Sequence, residues 1–186
     1  LKSDPNFDES IGDEMTKDVS RLETITTRFS NIGSVPQMQE QPITELVEKT
    51  LKYLEKRISR KVDWFYKNEL KDRHQLVNIN RPLIEWVIEN LCKNAVDAMA
   101  GIGELHVLIT NDNRNRVIID IRDTGKGIAK GNLRRVFKPG FSTKKRGWGL
   151  GLTLAKRIVE IYHDGNLFVK ETEVGKGTTF RIILSK

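Results

Sequence analysis

Three short segments supply the side chains with which this chain could do chemistry: residues 90–94 (NLCKN), 123–127 (DTGKG) and 147–151 (GWGLG). The first offers two amides one helical turn apart, so both leave the same helix face. The second places a carboxylate beside glycines that let a backbone approach a ligand closely. The third opens into a helix, whose free N–H groups favour phosphate. A metal ligand, a base-recognising carboxylate and a phosphate cradle together predict a nucleotide site.

Composition and the other motifs exclude several classes of protein. The single cysteine, Cys92, rules out an internal disulfide framework and a cysteine-based zinc site, and it fits a reducing, cytoplasmic compartment. No apolar run approaches the roughly 20 residues that cross a bilayer. The sequence contains no P-loop, no H-E-x-x-H motif and no G-x-S-x-G elbow. His74, His106 and His163 stand far apart and are expected to be surface or strand histidines rather than metal ligands.

The net charge of +7 is unevenly distributed along the chain. Residues 1–40 hold four basic and eight acidic side chains, so the basic excess lies in the remainder. A basic body can bind polyanions. No basic stripe interleaved with aromatic residues indicates a nucleic-acid surface, and a solvated, lysine-rich surface is the preferred interpretation. Lys144, Lys145 and Arg146 directly precede the glycine-rich segment 147–151 and are candidates to contact phosphates.

Hydrophobic periodicity predicts a long helix followed by an α+β domain. Apolar residues recur at three- and four-residue spacings over 8–32, and such an amphipathic helix needs a partner helix or a second copy. A Gly-Ser-Val-Pro sequence ends it, and a linker follows. The domain is predicted to contain helices over 43–59, 82–99, 130–136 and 149–162, and strands over 61–67, 76–80, 105–111, 116–122, 166–171 and 178–184. These elements fit a sheet covered on one face by helices.

The order of the motifs resembles the ATP-binding domain of sensor histidine kinases: an asparagine box, Asp-x-Gly-x-Gly, a Phe-bearing loop, Gly-x-Gly-x-Gly and a terminal Gly-x-Gly-Thr. That domain belongs to the superfamily that also holds gyrase, the ninety-kilodalton heat-shock chaperone and the mismatch-repair ATPase. The resemblance covers residues 43–186 and implies a Bergerat-type fold, a two-layer α/β sandwich with a mixed sheet. Less specifically, residues 1–35 resemble the second helix of the kinase dimerisation hairpin. This implies a linker over 36–42 and a homodimer in the full protein.

The resemblance also implies how ATP is bound. The ionised carboxylate of Asp123 would accept a hydrogen bond from the adenine amino group. Gly125 and Gly127 would let the backbone lie against the base, and Thr178 would supply a hydroxyl beneath it. The other expected nucleotide contacts are Ile128, Lys145, Gly147, Gly149, Leu150 and Gly151.

The metal and the catalytic groups are expected beside the phosphates. By resemblance, Asn94 is the Mg²⁺ ligand and Asn90 its helper, and Lys144 and Arg146 are candidate catalytic cations. Magnesium prefers oxygen ligands in near-octahedral geometry and retains waters. Asp97 departs from the family pattern, because many sensor kinases have a basic residue there. An aspartate would repel phosphate or assist magnesium through water, and its role stays open.

Segment 129–148 resembles the mobile lid of the family. Phe137 and Phe141 flank Lys-Pro-Gly in this segment, and both are expected to anchor the loop rather than to contact the ligand.

The function implied is transfer of the ATP γ-phosphoryl group to a histidine, followed by relay to the receiver domain of a response regulator. None of the three histidines lies near the start of a long amphipathic helix before an acidic residue, and the chain begins with Leu1. We therefore expect a fragment whose acceptor lies on a missing upstream helix. We also expect the fragment to be the cytoplasmic part of a membrane-bound sensor, with no membrane or nucleic-acid contact of its own.

Two alternatives stay open at this stage. One is an ATPase of the gyrase or chaperone branch, in which a glutamate four residues before the metal-binding asparagine activates water. That position is Asn90 here, and Glu89 is one place away, about 100° around the helix. The other is a nucleotide-sensing dimerisation module without phosphoryl transfer.

Overall fold

A computed structural model of the chain describes residues 36–58, 61–144 and 148–185. The predicted helix over 8–32 and the proposed dimerisation segment 1–35 lie outside these ranges. Lys145, Arg146 and Gly147 also lie outside them. In the part that is described, no helix is both long and apolar enough to span a membrane.

Seven strands and three main helices make up the described chain. The strands are β1 (Gln39–Pro42), β2 (Val62–Glu69), β3 (Leu76–Ile79), β4 (Gly103–Asn111), β5 (Val117–Asp123), β6 (Asn166–Glu173) and β7 (Gly177–Leu184). The helices are α1 (Ile43–Glu55), α2 (Arg81–Ala98) and α3 (Gly151–Arg157), and α3 continues into a π-helical turn, Ile158–Tyr162. The predicted helix over 130–136 is reduced to a single 3₁₀ turn, Lys130–Asn132.

The main sheet has five strands in the order β2-β4-β5-β7-β6. Strand β2 runs parallel to β4, whereas the other neighbours are antiparallel, so the sheet is mixed as predicted. A separate two-stranded sheet joins β1 to β3, with Gln39 opposite Ile79 and Pro42 opposite Leu76. Residues 39–42 were expected to be linker; their backbone groups instead pair with the short strand β3.

Helices cover one face of the main sheet. The alternate residues Leu105, Val107 and Ile109 of β4 are buried, and α2 packs against β4, β5 and β7. Helix α2 contributes a buried stripe to this core, and α1 and α3 both pack against α2. This arrangement is the predicted two-layer α+β fold. Because α2 crosses the end of β5, its polar residues can face the residues that follow that strand.

The opposite face of the sheet has an ion-pair network on its central strands. Arg181 donates two hydrogen bonds of 2.7 Å to the carboxylate of Asp120, and Lys170 donates a third of 3.1 Å. Burial alone would raise the pKa of Asp120, but these hydrogen bonds hold it below its ordinary value. The network therefore stabilises the sheet on the side away from the helices.

Local sequence fixes both ends of α2. The side chain of Asn80 caps the start by accepting a hydrogen bond from the Leu83 N–H (3.2 Å), and Pro82 lies in the first turn. At the other end, Gly101 adopts a φ of +79° and its N–H donates to the carbonyl of Val96. The observed helix lies within one residue of the predicted span.

His163 contradicts the expectation that the histidines lie at the surface or in strands. It is only 6% exposed and follows the π-helical turn. Its Nδ1 lies 2.8 Å from the carbonyl oxygen of Ile158, and its Nε2 accepts a 3.0 Å hydrogen bond from the Asn80 N–H. The ring is therefore neutral, with its proton on Nδ1, and burial lowers its pKa. The wider π-helical turn brings the ring into contact with the start of α2.

Candidate nucleotide site

Asp123 lies at the end of β5 on the helix-covered face. Its side chain is 2% exposed, and Oδ1 accepts a 2.8 Å hydrogen bond from the Gly125 N–H. Burial raises the pKa of Asp123, although the backbone N–H groups of Gly125 and Thr178 partly oppose this by donating to the carboxylate. Asp123 is directly opposite Thr178 in the β5–β7 register. Two of the predicted base-binding residues are thus brought together.

Close backbone contacts shape the loop after Asp123. Gly125 lies against Ala98 at the end of α2. Gly127 has a φ of +69°, and a Cβ there would be only 2.1 Å from the carbonyl oxygen of Glu173. Any side chain at Gly127 would therefore be strained and would push the loop away from β6.

A hydroxyl pair lies beneath this loop. Thr172 on β6 accepts a 2.9 Å hydrogen bond from the Ile128 N–H and donates to the Gly177 carbonyl (3.0 Å). Its oxygen is also 2.9 Å from the Thr178 hydroxyl oxygen. Because the Thr172 proton is used on Gly177, the Thr178 hydroxyl donates within the pair, and its own oxygen can accept from a ligand.

Thr172 and Gly177 were not predicted as site residues. A Cβ at Gly177, whose φ is +111°, would lie 1.8 Å from the carbonyl oxygen of Asp123. The terminal Gly-x-Gly-Thr motif could have indicated Gly177, whereas Thr172 has no motif and becomes visible only through the β6–β7 pairing.

Asn90 of α2 lies against the start of α3. The Asn90 Oδ1 is so close to Gly151 that a Cβ at that glycine would lie 2.5 Å away. The Asn90 Nδ2 is buried and has no hydrogen-bond partner in the described structure. Buried amide donors are almost always paired, so an orphaned one beside a helix N-terminus indicates a place for a ligand.

Lys144 reaches from the loop to the last turns of α2. Its Nζ lies 3.0 Å from the Asn94 Oδ1 and 2.5 Å from the Asp97 Oδ2. The predicted metal ligand, one predicted cation and the residue whose role was open therefore form one cluster. A cationic group thus lies within hydrogen-bond distance of the Asn94 oxygen.

The loop before α3 is attached to the sheet through Phe137. Its ring packs edge-on against Phe180, with 6.2 Å between centroids, and the Lys156 ammonium lies 4.9 Å from the ring centroid. The Thr153 hydroxyl donates a 2.9 Å hydrogen bond to the Phe137 carbonyl. Phe141 stacks instead under the guanidinium of Arg135, at 4.9 Å. Both aromatic rings thus have protein partners, which supports the expectation that they anchor the loop.

The described part of the glycine-rich segment, residues 148–151, leads into α3 as predicted. Gly149 has a φ of +66° and lies against the backbone of Gly140 and Phe141. Leu150 precedes the helix, and its carbonyl accepts from the Leu154 N–H (2.9 Å). The first N–H groups of α3 have no partner within the helix and lie near Asn90.

These residues fit a magnesium ion held together with a triphosphate. Asn94 offers an amide oxygen that already lies beside a cationic group, and magnesium prefers oxygen ligands. The described residues include no group of three or more His, Cys, Asp or Glu side chains that could hold a metal by themselves.

The fold and the site define a Bergerat-type ATP-binding domain: a mixed sheet with a buried carboxylate at a strand end, a glycine-shaped loop, and paired asparagines on the facing helix. Residues 79–186 match the family described as histidine kinase-, DNA gyrase B-, and HSP90-like ATPase. The chain belongs to this family.

Within this family, the chain is similar to histidine kinases. Sporulation kinase E of Bacillus subtilis is 31% identical over 179 residues, which cover 91% of this chain and 23% of that kinase. The solved catalytic domain of histidine kinase ThkA superposes with a TM-score of 0.69 at 26% identity, covering 80% of this chain and 95% of that one.

A second ThkA structure, in complex with response regulator protein TrrA, gives a TM-score of 0.71 at 24% identity. It covers 99% of this chain and 53% of ThkA, and it supports the fold. The chain spans about a quarter of sporulation kinase E. The predicted resemblance to sensor histidine kinases is confirmed, and the chain is an ATP-binding catalytic domain of the histidine kinase type.

Proposed function

We propose that this domain binds Mg-ATP and that the full protein uses it to phosphorylate a histidine outside these 186 residues. The observation behind the proposal is the buried Asp123 carboxylate opposite Thr178, together with the buried, unpartnered amide of Asn90 beside the start of α3. A carboxylate at a strand end suits a base amino group, and amides beside a helix start suit a metal-bound phosphate chain.

Base recognition is assigned to the strand ends. The Asp123 carboxylate accepts from the adenine amino group, while the Gly125 N–H holds the carboxylate in place. Thr178, whose hydroxyl already donates to Thr172, offers its oxygen as a second acceptor. Guanine presents a carbonyl where adenine has its amino group, so the same carboxylate would repel it.

Phosphate binding is assigned to α2, to the start of α3 and to the loop that precedes α3. Asn94 would hold the magnesium ion, which neutralises phosphate charge when bound, and Asn90 Nδ2 would donate to a ligand oxygen. Lys144 supplies a cation beside them, and Lys145 and Arg146 are proposed to do the same. Catalysis then consists of positioning and charge stabilisation.

The three histidines of the chain are poor acceptors. His163 is buried with both ring nitrogens engaged. His106 lies in β4, stacked on Phe65 and 2.9 Å from a carboxylate oxygen of Glu104, and His74 lies in a turn. We therefore propose an acceptor on a separate dimerisation helix in the full protein. A ring nitrogen of that histidine forms a bond to the γ-phosphorus while the bond to the β–γ bridging oxygen breaks and ADP leaves.

The downstream partners follow from the same reaction. We propose that the phosphoryl group is relayed to a response-regulator receiver domain and that the full protein is a cytoplasmically exposed homodimer. The solved complex of ThkA with TrrA supports a receiver partner. The predicted amphipathic segment over 8–32 supports dimerisation.

Water is a weaker substrate than histidine in this site. The general-base position of the ATPase branch holds Asn90, a neutral amide, and Glu89 is engaged with Lys93 at 2.5 Å. A positioned base contributes about 10²–10⁴-fold to a rate, and this contribution is missing. This observation favours the kinase over an ATPase.

Two measurements test the proposal. Calorimetric titration should show magnesium-dependent ATP binding and much weaker GTP binding, with phosphate release near background. Incubation of the full protein with γ-labelled ATP should give an acid-labile phosphoprotein. Rapid magnesium-dependent hydrolysis by the domain would favour the ATPase branch, and binding without any labelled protein would favour a nucleotide sensor.

A further inference from the structure

Asp97 places a negative charge where a triphosphate would lie. It stands one helical turn after Asn94, at the same end of α2, and its side chain is 54% exposed. Left alone, a carboxylate at this position would repel phosphate oxygens and weaken nucleotide binding. An aspartate at this position is therefore compatible with nucleotide binding only if its charge is compensated.

The contact that Asp97 makes supplies that compensation. Lys144 Nζ lies 2.5 Å from the Asp97 Oδ2 and 3.0 Å from the Asn94 Oδ1, although 47 residues separate Lys144 from Asp97 along the chain. The ammonium therefore lies against the predicted metal ligand and is held there by the carboxylate.

Neighbouring contacts orient the same stretch of loop. The Ser142 hydroxyl accepts from the Lys144 N–H at 3.1 Å, and Lys126 Nζ donates to the Thr143 hydroxyl at 3.2 Å. Residues 142–144 are thus tied both to the loop after β5 and to α2. These contacts with the protein give Lys144 a defined position.

We propose that Asp97 is a positioning residue that holds the lid cation Lys144 beside Asn94, so that the loop delivers a positive charge to the phosphates. This inference rests on the proposed Mg-ATP site. In it, Lys144 masks the negative charge of Asp97, and Asp97 in turn orients the Lys144 ammonium toward the phosphates. Removal of Lys144 both deletes that cation and exposes an unpaired carboxylate to the nucleotide.

The proposal predicts that Asp97→Asn changes ATP affinity differently when Lys144 is present and when it is replaced. Lys144→Met should weaken ATP binding most. Asp97→Asn added to Lys144→Met should recover part of that loss, because the unmasked negative charge is gone. In the presence of Lys144, Asp97→Asn should not improve binding, because it releases the lysine from its position. Both side chains are about half exposed, so the coupling should be about three- to fivefold in affinity and should shrink at high salt.

The experiment is a double-mutant cycle of Asp97→Asn and Lys144→Met, measured by calorimetric titration with a non-hydrolysable ATP analogue and magnesium. Asp97→Glu is the conservative control and should keep Lys144 in place. Glu89→Gln removes one negative charge and one ion pair from the same helix without touching the loop, so it should leave the binding constant nearly unchanged. Circular dichroism and thermal melting establish that each variant is folded.

Amide exchange in the nucleotide-free protein gives an independent readout. Asp97→Asn should speed exchange at residues 143 and 144 while β5 stays protected, and Asp97→Glu should restore the slower rate. Equal effects of Asp97→Asn on ATP affinity with and without Lys144 would overturn the inference, even if the unmodified domain binds ATP well. If the unmodified domain bound no ATP at all, the proposed function would fail first, and this inference with it.

Discussion

The two ends of the proposed nucleotide site, the base end and the phosphate end, are built differently. At the base end, Asp123 and Thr178 lie on adjacent central strands, both are buried, and backbone groups hold the carboxylate. At the phosphate end, Asp97 and Lys144 are about half exposed and one of them comes from a loop. Burial and strand pairing fix a side chain more firmly than an exposed ion pair does. The base end is therefore preformed, and the phosphate end is adjustable.

The difference suits the two proposed tasks, which are binding of the adenine base and binding of the phosphate chain. Adenine has one shape, and a rigid acceptor discriminates it from other bases because an unpaired buried carboxylate is unfavourable. The phosphate chain changes its charge and length as the γ-phosphoryl group leaves. Groups that move with little loss of stability can follow that change.

The largest expected effect is at the base end. Asp123→Asn should lower ATP affinity by about two orders of magnitude, since hydrogen bonds to charged groups contribute about 1.5–3 kcal/mol. The fold should persist, because the amide keeps its shape and volume. Calorimetric titration of the folded variant measures the loss.

The control for this change is Asp120→Asn on the same strand. Asp120 is similarly buried but faces the other side of the sheet, where it pairs with Arg181 and Lys170. Its replacement should lower thermal stability and leave ATP affinity nearly intact. An Asp123→Asn variant with unchanged affinity would remove Asp123 from the site.

A second substitution tests whether the base end is rigid. Gly127→Ala forces a side chain into a φ of +69° and within 2.1 Å of the Glu173 carbonyl. Backbone strain of this kind costs about 1–3 kcal/mol, so both the melting temperature and ATP affinity should fall. Gly131→Ala is the matched control, because a Cβ at Gly131 would point into open space, with no neighbouring atom within 4 Å. Equal melting temperatures for Gly127→Ala and Gly131→Ala would show that the loop after Asp123 accommodates a side chain without loss of stability.

The sequence predicts the base end better than the phosphate end for a physical reason. Motifs such as D-x-G-x-G place a carboxylate and its glycines within a few residues, and helix α2 has its own cap and stop signals. The pair of Asp97 and Lys144 joins distant segments, and only the folded chain brings them together. Thr172 was missed for the same reason.

The errors in secondary structure have a similar origin. Strand β1 has the sequence QEQP, which lacks alternation, and it forms by pairing with β3. The position of His163 depends on a π-helical turn that residue spacing does not show. Local pattern therefore predicted the sheet and its main helices, whereas tertiary contacts decided the exceptions.

His163 links the π-helical turn after α3 to the start of α2, and both helices contribute to the phosphate end. A change at His163 therefore tests how much this contact stabilises the domain. The pKa of His163 in the folded protein is lowered from 6.5, so the unfolded chain binds the proton more tightly. The stabilising contribution is complete above about pH 6.5 and is lost as the pH falls through the folded pKa.

The corresponding variant is His163→Gln, which cannot titrate. It should unfold with about 1–3 kcal/mol less free energy at pH 7, because two buried hydrogen bonds are disturbed. Its stability should also change less between pH 7 and pH 5 than that of the unmodified domain. Urea unfolding at several pH values measures both effects, and parallel curves would show that His163 does not titrate on unfolding.

The smallest effect should separate the two ends within one molecule. Addition of Mg-ATP should slow amide exchange over residues 131–144, because phosphate oxygens give Lys144 and its neighbours new partners. Residues of β5 around Asp123 should change little, since the strand is already paired on both sides. ADP without magnesium is the control, because it fills the base end while offering less charge to the loop. Equal slowing at both ends would contradict the distinction between a preformed base site and an adjustable phosphate site. Equal exchange over residues 131–144 with and without Mg-ATP would show that this segment does not respond to nucleotide.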